Sequence, residues 1–323
     1  MEKKYSIGID IGGTNTVFGI VDKDGKVIGK GSIKTKAYGN FTDYLDDLYK
    51  NIRKLIEEKG VDGEIAGIGI GAPGANYHTG EIYNAANLNW GERVELAKLV
   101  KEKFNLPVAV TNDANAATVG EMIYGAAKGM KDFIMITLGT GVGSGIVSNG
   151  ELVYGHDGLA GELGHIRIER RNGRKCGCGR IGCLETYCSS TGMVRTALEF
   201  LKSDRPSSLR EIPESDLNSK NVYDAAIAGD EMANEIFEFT GNILGDALAD
   251  FTAYSSPEAI ILFGGLAKSG DLLLKHVKKG FDDNLLFIYK DKPEIIFSQL
   301  NEDDGAVLGA SALGWVEAGK EKA

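Results

Sequence analysis

The sequence predicts an α/β protein of two related lobes that close on a central cleft. Short apolar strands alternate with helical periodicities along the chain, which is the pattern of an α/β architecture. One stretch also occurs twice: IGIDIGGTNTVFGIVDKDGKVI is matched roughly 125 residues later by IMITLGTGVGSGIVSNGELV. Each copy reads as apolar strand, Gly/Thr turn, the tripeptide GIV, a tight turn and another strand. So long a period indicates duplicated domains, since solenoid repeats are far shorter. The 323 residues leave room for lobes of ordinary domain size.

The elements follow in order. Residues 4–10 alternate as a strand, 17–21 form a second, and after the turn DKDG a third runs over 26–29, giving a β-meander. Phe41, Tyr44, Leu45, Leu48, Ile52, Leu55 and Ile56 recur at helical spacing, with Thr42 as the expected N-cap and Gly60 as the stop. A buried strand is expected over 65–70, ending in GAPG; a helix over 94–104; a strand over 108–111; and a helix over 114–124. A second meander begins at 133–138, is broken by GTGVGSG and resumes as IVSNGELV. A long helix is expected over 231–254, stopping before Pro257, and a strand over 259–263 leads into Gly264-Gly265. Residues 203–220, rich in Ser, Pro and charge, read as a loop.

Composition narrows the function. The net charge of −10 argues against a surface that binds by neutralising phosphate backbones. The local basic group Arg167, Arg170, Arg171, Arg174 and Lys175 reads as a solvated loop. The start, MEKKYSIGIDIGG, lacks the apolar core of a signal peptide, so a cytoplasmic protein is expected. The uncharged runs 65–80 and 133–150 carry too much Gly, Thr, Ser and Asn to be membrane helices. In a reducing compartment four cysteines are expected as metal ligands or buried thiols rather than disulfides.

DIGGTN and LGTGVGSG place glycines and small hydroxyl residues in strand-to-strand turns, where backbone N–H groups can approach phosphate oxygens. A single copy would read as an ordinary glycine hairpin. Two copies, together with FGG at 263–265, point to nucleotide phosphate bound by Gly12, Gly13, Thr14 and Asn15, by Thr140, Gly141, Gly143 and Ser144, and by Gly264 and Gly265. Asp10 is placed to orient Mg²⁺ through water, because that ion prefers oxygen ligands and keeps most of its hydration. No GxxxxGK[ST] loop occurs. GIGAPG fits GxGxxG literally, but Pro73 stands where a nucleotide-binding helix would start, so a Rossmann dehydrogenase is not expected.

His165, followed after ten residues by C-x-C-x4-C, offers His165, Cys176, Cys178 and Cys183. A Cys₃His set fills a tetrahedral Zn²⁺ shell and leaves no place for water, which makes the ion structural rather than catalytic. The spacing differs from that of a zinc finger that presents a helix to DNA. Cys188 is left over and reads as a small buried hydrophobe.

DIGGTN, GIGAPG followed by NLNW, TNDANAA, LGTGVGSG, GELGH and CGCGRIGCLE, in this order over residues 8–187, resemble the successive signatures of the ROK family of sugar kinases and repressors. The resemblance implies the actin/hexokinase-like (ribonuclease H-like) fold: a small lobe of residues 1–112 with about 300–323, and a large lobe of 113–299 carrying the zinc motif. It implies ATP- and Mg²⁺-dependent phosphorylation of a hexose, glucose to glucose 6-phosphate before others, with Asp113 as general base. It supplies the sugar site from Gly74, Asn87, Asn112, Asp113, Glu162, His165 and Glu185. His165 then belongs to two sets; one ring nitrogen would bind metal and the other a sugar hydroxyl. A homodimer or homotetramer is also implied, with no nucleic acid or membrane partner.

Two positions depart from the family pattern: Ser144 stands where many members have Gly, and Asn15 where Lys or Thr is frequent. The alternatives are a kinase for fructose, mannose, allose, N-acetylmannosamine or N-acetylglucosamine, or a non-catalytic sugar sensor of the repressor type. Repressors carry a helix-turn-helix domain before the first phosphate strand. Here that strand begins by residue 5, so the kinase is the expectation.

Overall fold

A computed structural model of the protein describes residues 2–83, 88, 90–300 and 302–320. Its contacts divide the chain into two compact units: residues 1–129, 152–160 and 299–323 in the first, and 130–151 and 161–298 in the second.

In the first unit, β1 (Tyr5–Ile11), β2 (Thr16–Asp22) and β3 (Val27–Ile33) form the antiparallel meander. Helix α1 (Phe41–Lys59) follows, capped by the Asn40 side chain rather than by Thr42: Asn40 accepts from the Asp43 N–H at 2.9 Å. Its stripe of Tyr44, Leu45, Leu48, Ile52, Leu55 and Ile56 is buried, as the spacing requires. Strand β4 (Ile65–Gly71) is buried along its whole length. The short strands β5 (Ala75–Asn76), β6 (Glu81–Tyr83) and β7 (Arg93–Val94) make a separate small sheet. Helix α2 (Leu96–Phe104), strand β8 (Val108–Thr111) and helix α3 (Asp113–Tyr124) come next. The main sheet has the order β3-β2-β1-β4-β8, with β1, β4 and β8 mutually parallel.

The C-terminal helix (Glu302–Lys320) lies directly on this sheet. A Cβ at Gly8 would overlap the Val307 carbonyl, and one at Gly69 the Ala310 carbonyl. On another side, Gly309 of the helix abuts the Ala116 carbonyl of α3. Some of the chain's 44 glycines therefore serve backbone-to-backbone packing. These contacts also place α3 in the first unit, whereas the sequence reading put the boundary at 112.

The second unit repeats the plan. Its elements are β9 (Phe133–Leu138), β10 (Val142–Ser148), β11 (Glu151–Leu152), α4 (Glu185–Cys188), α5 (Ser190–Phe200), α6 (Ser219–Ile227), α7 (Glu231–Ser255), β12 (Ala259–Phe263), α8 (Asp271–Asn284) and β13 (Glu294–Phe297). The sheet order β11-β10-β9-β12-β13 matches the first sheet strand for strand, again with a hairpin followed by parallel neighbours. The fold is thus a duplicated α/β design, and each unit has its own apolar core. No helix among the described residues is long and apolar enough to cross a membrane.

Candidate active site and metal centre

In the first unit, the parallel run of β1, β4 and β8 brings three strand C-termini to one edge, the usual ligand edge of an α/β sheet. Asp10 pairs with Gly71, and Gly71 with Thr111, so Asp10 and Asp113 stand on either side of a residue with no side chain. A Cβ at Gly71 would lie 3.7 Å from Asp10 Oδ1 and 3.9 Å from the Asp113 Cα. Asn112 caps α3 by accepting from the Asn115 N–H at 2.7 Å, which leaves its amide as a donor. Asp113 is the first helical residue. One of its oxygens takes the Ala114 N–H at 2.9 Å, and the residue is exposed. Burial first, and the Asp113 charge second, push the Asp10 carboxyl up to about 6.

Gly12, Gly13, Thr14 and Asn15 form the β1–β2 turn, closed by the Gly12 N–H on the Asn15 carbonyl at 3.0 Å. Gly74 follows β4 in a left-handed conformation (φ 69°) that favours glycine. Asn87 lies outside the described residues.

In the second unit the corresponding turn is shorter than GTGVGSG suggests. It comprises only Gly139, Thr140 and Gly141, because Val142, Gly143 and Ser144 already belong to β10. The Gly143 N–H is taken by Thr137 Oγ1 at 3.1 Å. Ser144 is 5% exposed, and its hydroxyl donates to the Gly161 carbonyl and accepts from the Leu163 N–H. That hydroxyl steadies the segment leading to Glu162 and His165 instead of facing the turn. Gly264 packs against the Leu138 carbonyl beside the same turn, and a side chain at Gly265 would meet open space. Sequence reasoning missed the residues that fix this turn: Ser190 donates its N–H to the Gly139 carbonyl at 2.8 Å, and Thr191 its hydroxyl to the Thr140 carbonyl at 2.7 Å. A cap signal, Ser189 before a short apolar period, was their only mark in the sequence.

The cysteines sit on a small hairpin. Leu184 returns to Ile166, and Ile168 to Gly182, through backbone bonds of 2.9 Å each. Gly182 (φ 77°) turns where any side chain would strike the Glu169 carbonyl. His165, Cys176, Cys178 and Cys183 offer ligand atoms that all lie within 4.8 Å of one another. His165 Nδ1 is 3.7 Å from Cys176 Sγ, and Cys178 Sγ is 3.7 Å from Cys183 Sγ. A Zn–S bond of about 2.3 Å separates two tetrahedral sulfurs by about 3.8 Å, so the donor set fits one such ion. Cys188 is fully buried, 3.6 Å from the Thr240 carbonyl, and its thiol is pushed well up by burial.

One member of the basic group is not solvated. Arg174 is only 10% exposed at its side chain, pairs with Glu199 and stacks on Tyr187, holding the hairpin to α4 and α5. Glu185 opens α4 with one oxygen 3.5 Å from Cys176 Sγ and the other accepting from the Val142 N–H at 3.2 Å. Glu162 is exposed, three residues before His165.

A model of one protein family, the ROK family, matches residues 6–316. The chain belongs to the ROK family. Among ROK relatives, the glucokinase of Halalkalibacterium halodurans is 37% identical over 98% of this chain and 96% of its own length. The crystal structure of the ROK glucokinase of Streptomyces griseus, in complex with glucose and AMPPNP, has a TM-score of 0.77 at 31% identity, covering 97% of this chain and 99% of that one. The Escherichia coli transcriptional regulator NagC is 26% identical over 96% of this chain but only 75% of its own length. The fold is the actin/hexokinase-like fold of the ROK sugar kinases.

Proposed function

We propose that this ROK protein is an ATP-dependent hexokinase that phosphorylates glucose on its 6-hydroxyl. The observation that carries the reading is the pair Asp10 and Asp113, set on either side of the bare Gly71 at the strand-end edge. Likeness over nearly the whole chain to proteins named glucokinase supports it. Asp113 takes the proton as the hydroxyl oxygen forms its bond to the γ-phosphorus and the bond to the ADP oxygen breaks. Its carboxylate stands at the first residue of α3, where one oxygen accepts the Ala114 N–H. Asp10 would hold hydrated Mg²⁺ through water, and that ion would supply charge neutralisation at the phosphates. The turns Gly12–Asn15 and Gly139–Gly141, with Gly264-Gly265, take the phosphates on backbone N–H groups.

Gly74, Asn87, Asn112, Glu162, His165 and Glu185 recognise the sugar, and His165 with the three cysteines would hold Zn²⁺, which would fix the imidazole's orientation and leave its other nitrogen for the sugar. A coupled ADP-release assay over a panel of hexoses and hexosamines tests the reading, with Asp113→Asn as control. Glucose is expected as the best substrate. The variant is expected to keep sugar binding and lose turnover by roughly 100- to 10,000-fold. Sugar binding without turnover on any sugar would favour a sensor, the class to which NagC's match over three quarters of its length points.

A further inference from the structure

The metal hairpin and the candidate phosphate turn are joined by one short piece of chain, residues 183–191. Its first residue, Cys183, is a metal-site cysteine, and its last, Thr191, donates to the Thr140 carbonyl at 2.7 Å. Between them, Glu185 accepts from the Val142 N–H at 3.2 Å while its other oxygen lies 3.5 Å from Cys176 Sγ, and Ser190 donates to the Gly139 carbonyl at 2.8 Å. The turn is thus gripped at Gly139 and Thr140, and the strand that leaves it at Val142, from a single segment. The segment is itself stiff: α4 follows directly on Cys183 and Leu184, and Ser189 caps α5 by accepting from the Gly192 N–H at 2.9 Å while its hydroxyl reaches Thr191 at 3.0 Å.

We propose that Thr191 is a positioning residue for the nucleotide, and that residues 183–191 form a strut through which occupancy of the Cys₃His centre sets nucleotide affinity. The chemistry is that of a preorganised anion site. Backbone N–H groups bind phosphate well only if the turn already points them, and each lost anchor must be offset from binding energy. With the metal bound, Cys183 and Cys176 are held to one point, so Glu185 and the residues after it have a fixed origin. Without it, the hairpin ladder stays but Cys176 and Cys183 lose their common point, so Glu185, which touches Cys176, can relax and its grip on the turn slackens. The proposal rests on the reading of Gly139–Gly141 as a phosphate turn.

The test measures binding of a non-hydrolysable ATP analogue by calorimetry to the intact protein, metal-loaded and after chelation. Thr191→Val is expected to weaken the analogue about three- to tenfold, the worth of one hydrogen bond, with sugar affinity unchanged. Thr191→Ser, which keeps the hydroxyl, is expected to restore it. Chelation is expected to weaken the analogue in the wild type by a comparable factor and to add little in Thr191→Val, because the strut is already cut. Gly265→Ala, placed in open space beside the turn, serves as reference. If Gly265→Ala weakens the analogue while Thr191→Val does not, the strut is wrong and the phosphate reading stands. Should neither substitution change nucleotide binding, the phosphate reading itself falls. An equal loss on chelation in wild type and Thr191→Val would overturn the link to the metal. If chelation unfolds the protein, metal content decides instead: Thr191→Val must keep full zinc stoichiometry while losing nucleotide affinity, and loss of zinc from that variant would refute its assignment to the nucleotide.

Discussion

Asp10 carries a cost that fits the role proposed for it. Its folded carboxyl titrates at about 6 against an ordinary value of 3.8, so the folded state holds the proton more tightly. The stability from that proton is complete below about 3.8 and is lost as pH rises through about 6, on the order of 3 kcal/mol in all. Asp10→Asn has no charge to bury. Without metal or nucleotide it is expected to melt above the wild type at pH 8, show no advantage at pH 4, and have lost turnover; thermal melts across that range check the sign. Ser144 makes the opposite point. Removing its hydroxyl with Ser144→Ala takes support from Gly161 and Leu163, at about 1 kcal/mol, and is expected to raise the KM for sugar while leaving that for ATP near normal. A rise confined to ATP would return Ser144 to the nucleotide. The place of Asp113 at the start of α3 and the clustering of His165, Cys176, Cys178 and Cys183 were legible in the sequence because motif and spacing carry them. The job of Ser144 was not, since its partners are 17 and 19 positions away.

Among elements, the long and strongly periodic ones were readable: α1, α7, β4 and β9 fall where the apolar spacing puts them. The short helices α4 and α5 were not, as four and eleven residues interrupted by Gly192 show too little period to separate from a loop. Nor could the sequence tell that β10 begins at Val142, because glycines in a strand look like turn until a partner strand claims them. The glycines facing the C-terminal helix have their own prediction. Gly8→Ala puts a methyl group into the Val307 carbonyl, and Gly69→Ala one into the Ala310 carbonyl. Each is expected to cost on the order of 3 kcal/mol or to prevent soluble expression, whereas alanine at Gly39 or Gly319, in open space, is expected to be neutral in chemical denaturation.

For the whole molecule, the duplication was legible because both meanders keep the strand, turn and GIV order, and the two sheets agree strand for strand. The division of the chain was not legible. Residues 152–160 return to the first unit through Tyr154 stacked on Tyr77 at 4.0 Å and the Asp157 carbonyl accepting from Asn76, contacts that no local pattern announces. Metal removal is a prediction at this scale. Arg174 and the backbone ladder hold the hairpin independently of the ion, so chelation is expected to lower the melting temperature by a few degrees while leaving the far-ultraviolet circular dichroism of both units in place. Global loss of helix signal on chelation would show that the ion is needed for folding.

The threading of the chain also orders its biosynthesis. The second unit is complete once residue 298 has left the ribosome, while the first, though begun earlier, still lacks the helix that covers Gly8 and Gly69. A nascent chain must therefore keep its first sheet from associating with other molecules until residues 302–320 have emerged. No single cut yields two complete halves, and a stop codon before residue 302 would cost the protein the unit it started first.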